Sequence, residues 1–354
     1  MLQPGNDTRG WAGVSESNRS GASEDGPGPE AVVVPVLFGL IFAVGLVGNT
    51  LVLLVTGRVS RARTGSVGLR PGNPTNIFIS NLSVADLLFL LLCVPFHATI
   101  YSLPHWVFGG FVCRFGHFFA SVSVLVSIFT LVAMSVDRYV AVVRSERARG
   151  VRNRRNALVG VGVIWTASLV CSLPVAQHQV LAEHPSAPNS TFCWERWSGR
   201  SRHAYKVSMV LVGFVVPLLL ISCCYVRVLC HLHKKMKTMS KKSEHAKQKT
   251  TQTVLLVIAA FAICWIPHHV ITMWAEFGTF PLTDASFAFR IVSHCLSYAH
   301  SCVNPVLYAF LSEKFRQACG QVFTWRLGSP AAPRGSEARC RTNHPSSTHS
   351  TTNI

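Results

Sequence analysis

Asp86 is the only acidic residue deep inside an apolar stretch of this 354-residue chain. An ionisable group within a bilayer costs roughly 2.5–3.5 kcal/mol on insertion scales, so its presence points to a function. The plainer alternative is a protonated carboxyl hydrogen-bonded inside a helix bundle. Asn49, Ser127, Ser301 and Asn304 fall at similar depth in other apolar stretches. With Asp86 they form a polar set suited to water and a small cation such as sodium. Asp137-Arg138-Tyr139 lies at the end of a further stretch. An arginine there either complements the negative end of a helix dipole or is held for a charged role. Pro95, Pro174, Pro217, Pro267 and Pro305 each sit in a different stretch, where proline removes a backbone hydrogen bond and tends to kink a helix. Cys264-Trp265-Ile266-Pro267 sets a bulky ring beside one such kink, and Asn304-Pro305-Val306-Leu307-Tyr308 puts Asn304 and Tyr308 on one helix face. Each reads as a hinge or as a static kink. No Cys/His pattern suits a metal, since the adjacent His268 and His269 point different ways. No nucleophile stands beside a base, so these residues point to binding and switching and not to an enzyme.

The elements that must carry them are membrane-spanning. Six runs lack Asp, Glu, Lys and Arg altogether: Ala31–Gly57, Phe115–Val136, Asn156–Ala182, Val207–Val226, Thr250–Ala275 and Ile291–Ser312. A seventh stretch, Pro71–Cys113, is interrupted by Asp86 alone. A helix crossing the hydrocarbon core needs about 20 mostly apolar residues. The expectation is an all-α membrane protein, a seven-transmembrane helix bundle, with helices near 31–56, 75–102, 111–143, 156–178, 205–230, 250–275 and 286–310. A short amphipathic helix over 312–323 and a disordered tail over 324–354 follow, so that 31–311 is the bundle proper. Charge composition agrees: 14% of residues are charged and 49% hydrophobic, against about 25% charged in soluble domains. The net charge of +18 would suit nucleic acid only if spread through a polar, foldable domain; here that partner is excluded. No internal repeat is visible, which argues against a transporter.

Residues 1–30 lack the basic start and short apolar stretch of a cleaved signal peptide, so Ala31–Thr56 is expected to act as an uncleaved anchor. Lys and Arg favour the cytoplasmic side. With the N-terminus extracellular, the outer segments hold eight basic and nine acidic residues, and the inner ones 25 basic and five acidic. The plasma membrane is the expected location. Sequons at Asn6, Asn18 and Asn189 then fall outside as glycosylation candidates. The one at Asn81 lies inside the second helix and is discarded. Only Cys113 and Cys193 reach the oxidising side, so a disulfide between them is expected to pin the long loop Gln179–Arg202 over the bundle mouth. Cys319, beside the amphipathic segment, is either palmitoylated or a free thiol.

Taken in order, these residues resemble the rhodopsin-like (class A) G-protein-coupled receptors over about Ala31–Phe323. The matching motifs are Gly48-Asn49, Asn81-Leu82-Ser83-Val84-Ala85-Asp86, Asp137-Arg138-Tyr139, Trp165, Pro217 with Tyr225, Cys-Trp-Ile-Pro at 264–267 and Asn-Pro-Val-Leu-Tyr at 304–308. The segments FCWERW (192–197), HLHKKMKTMSKKSE (231–244), IPHH (266–269) and WAEFGTFPLTDASFAFRI (274–291) are similar to the galanin receptors, nearest the type 1 branch. The resemblance implies a receptor for the neuropeptide galanin, with ligand contacts at His268, His269, Glu276 and Phe287. Phe287 would stack on a peptide ring, and Glu276 would pair with a peptide amine or is simply a solvated helix end. It also implies inhibitory G proteins that lower cyclic AMP, a switch formed by Arg138, Tyr225, Trp265–Pro267 and Tyr308, and sodium near Asp86. The same implication brings arrestin to a phosphorylated tail (Ser346–Thr352). The basic segments 144–155 and 231–249 would meet those proteins or anionic membrane lipid.

Several positions depart from the family pattern. Thr272 replaces an expected histidine, and His300 stands where most relatives have Asn near the sodium site. Lys247 stands where many relatives carry an acid restraining the arginine, so some basal signalling is expected. Ala120 replaces the aspartate of monoamine receptors, and no lysine in Ile291–Phe310 serves retinal. Receptors for spexin, kisspeptin or an allatostatin-like peptide remain as alternatives.

Overall fold

The computed structural model describes residues 30–62, 74–103, 105–146, 148–184, 187–235, 241–281, 283–311 and 320. Asn6, Asn18, the tail and the 312–323 segment with Cys319 lie outside the described residues, apart from Gly320, as do the side chains of Asn189, Lys247 and Tyr308. The first helix, α1, runs Glu30–Ala62, and the second span is α2 (Pro74–Leu92) followed by α3 (Val94–Ser102). The third is α4 (Gly109–Val142), then the short α5 (Ala148–Val151) and the fourth span α6 (Arg154–His178). The fifth is built of α7 (Arg200–Val210), a π turn (Leu211–Val215) and α8 (Val216–Lys235). The sixth is α9 (Lys241–Phe277) and the seventh α10 (Asp284–Leu311).

The spans close into a bundle. α1 packs on α2 and α10, α10 on α9, and α9 on α8, while α4 passes through the centre against α2, α6, α8 and α9. Six spans are long and apolar enough among the described residues to cross a membrane. α10 falls short because its inward face is polar: Ser293, Ser297, His300, Ser301 and Asn304 are all buried, while Val292, Phe289 and Val306 face outward. Leucines and valines of the other spans are likewise exposed on the outside of the bundle. This is the reverse of a soluble protein and suits a hydrocarbon solvent.

Two spans differ from a single expected helix, and both do so at proline. Pro95 has no N–H and its ring crowds the preceding turn. The helix over 75–102 therefore breaks at Cys93, with Cys93 N–H still bonded to Phe89 O at 2.8 Å and His97 N–H to Cys93 O at 3.1 Å. Pro217 likewise cannot donate to the carbonyl four residues back. The chain before it widens, and Val216 N–H reaches back five residues to Leu211 O. Pro267 and Pro305 lie inside unbroken helices.

The loop expected over 179–202 is ordered as an antiparallel hairpin of β1 (Gln179–His184) and β2 (Ala187–Glu195), with Leu181 opposite Cys193. Cys193 is bonded to Cys113 with a Cα–Cα distance of 5.6 Å, as expected. Trp106 N–H donates to Thr191 O at 2.8 Å, and Arg114 Nε to Gln179 O at 3.1 Å. The hairpin is thus held to the start of α4 by one covalent and several hydrogen bonds.

Buried side chains fall into two main groups. One joins Leu82, Ile128, Phe214, Tyr225, Phe261 and Trp265. The other, towards the hairpin, joins Phe38, Phe89, Phe96, Trp106 and Tyr298. Asn81 links three spans: it donates to Thr130 Oγ1 at 2.7 Å and accepts from Trp165 Nε1 at 2.8 Å. Its burial agrees with the rejection of that sequon.

Candidate functional site

Three places in the bundle bring the singled-out residues together. In the middle, Asp86 from α2 lines a small cavity with Ser123 and Ser127 of α4, Trp265 of α9, and His300 and Ser301 of α10. Asn304 Nδ2 donates to Asp86 Oδ2 at 3.0 Å, and Asn49 Nδ2 donates to Ser301 O at 2.8 Å. α10 can turn this polar face inward because Gly48 lets α1 approach it: a Cβ there would lie 2.7 Å from Pro305 Cγ. A carboxylate and the hydroxyls of Ser123, Ser127 and Ser301 around one cavity are oxygen donors of the kind a small hard cation takes. His300 adds a nitrogen to that wall, and its Nε2 is buried without a hydrogen bond.

At the end of α4 farthest from the disulfide, Asp137 is buried and heavily engaged. Arg152, in the loop between α5 and α6, grips both carboxylate oxygens, Nε to Oδ1 at 2.7 Å and Nη2 to Oδ2 at 3.0 Å. Thr75 Oγ1 of α2 donates to Oδ2 at 2.8 Å. Arg138 lies 3.5 Å from Oδ2 and is hydrogen-bonded to Thr75 Oγ1. Tyr139 is half-buried, and Tyr225 is buried in the same core as Met134. Sequence reasoning singled out Asp137 and Arg138 but missed Arg152 and Thr75. Arg152 stands in a run of arginines that look alike by type, so only the loop geometry picks it out.

At the disulfide end, His268 and His269 diverge as adjacent residues on a helix must. The His268 ring meets Trp265 at 5.5 Å and His294 at 5.6 Å, while His269 meets Phe214 at 4.6 Å. His97 of α3 and His117 of α4 were not singled out; their rings lie 5.4 Å apart, and His97 lies 5.1 Å from Tyr298. The wall is therefore lined by imidazole and phenyl rings, apolar faces with directional polar edges. Among the described residues no group of three or more His, Cys, Asp or Glu is arranged for a metal ion. Phe287 is half-buried in the first turn of α10. Thr272 turns its hydroxyl back to His268 O at 2.8 Å, so no ring takes its place.

Glu276 is not the solvated helix end that its position in the last turn of α9 allowed. Arg202 Nη2 of α7 lies 3.1 Å from its Oε2 and His203 Nδ1 lies 2.8 Å from its Oε1. Lys206 Nζ of the same helix donates to Glu195 Oε2 of β2 at 2.7 Å. These cations were counted in the sequence only as part of the outer charge.

Trp265 joins the first and third places, since its ring meets His268 on one side and His300, at 6.4 Å, on the other. The family profile described as seven-transmembrane receptor (rhodopsin family) matches residues 48–308. The chain is 53% identical to galanin receptor type 1 of Homo sapiens over 348 residues, 96% of this chain and 97% of that one. It is 42% identical to galanin receptor 2b of Danio rerio over 298 residues, 84% and 76% of the two chains. With galanin receptor type 2 of Homo sapiens it shares 41% over 321 residues, 90% and 80%. A bundle with a disulfide-pinned hairpin at one end, a polar cavity at its centre and an Asp-Arg cluster at the other agrees with those matches: the chain belongs to the rhodopsin family of seven-transmembrane receptors and, within it, to the galanin receptors.

Proposed function

We propose that this receptor binds galanin at its disulfide end, which faces outside the cell, and signals to inhibitory G proteins at its Arg138 end, lowering cyclic AMP. The observation that carries the reading is the position of Trp265, in ring contact with the ligand-side His268 and with His300 on the cavity wall. A peptide pressing on His268 thereby biases the packing around Asp86, and Pro267 lets the Arg138 end of α9 swing. The peptide favours the active packing only by its differential affinity for it. His269 and Phe287 supply the ring contacts. Arg138 and Tyr308 rearrange to receive the G protein. Asp86, Ser127 and Ser301 would hold a sodium ion that would favour the inactive packing, and His300 on the same wall opposes it. The positive-inside count supports the orientation. Glycans on Asn6, Asn18 and Asn189, a lipid on Cys319 and arrestin at the tail complete the proposal.

Cyclic AMP in transfected cells, with galanin and spexin applied separately, tests it. A fall with galanin supports the reading. Silence with galanin and a response to spexin transfers it to a related peptide, and a rise in inositol phosphate without a fall in cyclic AMP overturns the inhibitory coupling.

A further inference from the structure

The Glu276 side chain, at the disulfide end, is only 3% exposed. Each oxygen already faces a cationic or protonatable nitrogen of α7, Arg202 at 3.1 Å and His203 at 2.8 Å. A ligand amine could reach this carboxylate only by displacing both. The cations are differently placed: the Arg202 side chain is 29% exposed and that of Lys206 25%. Arg202 Nε lies 3.4 Å from Glu195 Oε1 yet makes no hydrogen bond. Arginine has five N–H donors in a rigid fork; Nε is buried, and the partly exposed side chain keeps further donors beyond the one that faces Glu276. Glu195 follows Cys193 by two residues, so the pairs tie α7, α9 and the disulfide-held hairpin into one latch.

We propose that Glu276 is a positioning residue that holds Arg202 across the ends of α7 and α9, and that Arg202 donates to a carbonyl or carboxylate oxygen of the bound peptide. This rests on the galanin reading for its ligand but assigns the contact to a different residue and the opposite polarity. The latch sets the cations Arg202 and Lys206 against the acids Glu195 and Glu276, and what it presents to the ligand is a donor in search of an acceptor oxygen. The site selects peptides with a free acceptor and is indifferent to the terminal amine.

The test uses the full-length receptor in cell membranes, labelled galanin and an N-acetylated galanin, with binding normalised to surface expression. Arg202→Ala and Glu276→Gln are each expected to weaken galanin by about 10-fold, the scale of one charge-assisted hydrogen bond. The double variant should be no weaker than Arg202→Ala alone. Acetylation should cost the same on the wild type and on Glu276→Gln. The exchanged pair, Arg202→Glu with Glu276→Arg, restores the ion pair while inverting what α7 offers, and should stay weak while reaching the surface. Multiplicative loss in the double variant, an acetylation penalty that vanishes with Glu276→Gln, or rescue by the exchanged pair would each overturn the assignment. If the wild type binds no galanin, the galanin reading fails by itself. The latch is then read from the melting temperatures of the purified variants, where equal single and double losses support it and additive losses overturn it.

Discussion

At Asp137 two arginines compete for one carboxylate, and the loop arginine holds the better position. Arg152 makes a bidentate contact at 2.7 and 3.0 Å, while Arg138 stands 3.5 Å away. Among the described residues Arg138 is restrained by the Thr75 hydroxyl and by Asp137, and Arg152 blunts the second. Arg152→Ala should therefore let Asp137 recapture Arg138 and lower ligand-independent signalling several-fold, a coupling on the order of 1 kcal/mol. A rise in basal signalling would mean that Arg152 is itself the restraint. The second residue-scale test concerns His300, an imidazole on the wall of the Asp86 cavity. Galanin affinity should respond little when sodium is exchanged for a large organic cation at constant ionic strength. His300→Asn, which returns an oxygen donor to that wall, should make the affinity fall in sodium. Asp86 itself was legible from sequence because an acid in an apolar run is a compositional anomaly. Arg152 and Arg202 were not legible, because an arginine in a basic or polar loop shows no sign of which carboxylate it will meet.

Elements were legible to the extent that a bilayer dictates them. Seven stretches poor in charge became seven spans, with boundaries displaced mainly at α9, which extends inward to Lys241. The interruptions at Cys93 and Leu211–Val215 depend on how neighbours accommodate Pro95 and Pro217, and a proline alone does not say whether its helix bends, breaks or widens. The hairpin was hidden because Gln179–Ala182 continues the charge-free run of α6. Close helix approach, in contrast, is readable from small residues and open to test. A Cβ at Gly48 would come within 2.7 Å of Pro305 Cγ, whereas one at Gly39 on the same helix meets nothing within 4 Å. Gly48→Ala should destabilise the purified receptor by about 1–3 kcal/mol through overpacking. Gly39→Ala should stabilise it by about 0.5–1 kcal/mol, since alanine outranks glycine within a helix. Equal melting shifts for the two would show that α1 and α10 do not meet at this distance.

For the whole molecule, charge and span number give one joint prediction. Six spans pass on length and hydropathy among the described residues, and α10 does not. Were α10 to lie along the membrane instead of crossing it, both termini would sit on the same side. Its polar residues argue otherwise. Ser297, His300, Ser301 and Asn304 are buried against α1, α2 and α9, and Asn304 donates to Asp86 at 3.0 Å. The face that lowers its hydropathy is the face the bundle removes from lipid, so crossing leaves few polar groups in hydrocarbon. Seven crossings are an odd number and put the termini on opposite sides. The segments that include the Asp137–Arg138 end carry 25 basic residues against five acidic, and the opposite segments eight against nine, from which the positive-inside rule predicts an extracellular N-terminus. An epitope tag before Met1 should therefore stain on intact cells, and one after Ile354 only after permeabilisation. Staining of both tags on intact cells, or of neither, would reduce the crossings to six. The reverse pattern would invert the bundle and put the disulfide end, with its histidines and Arg202, out of reach of any peptide in the medium.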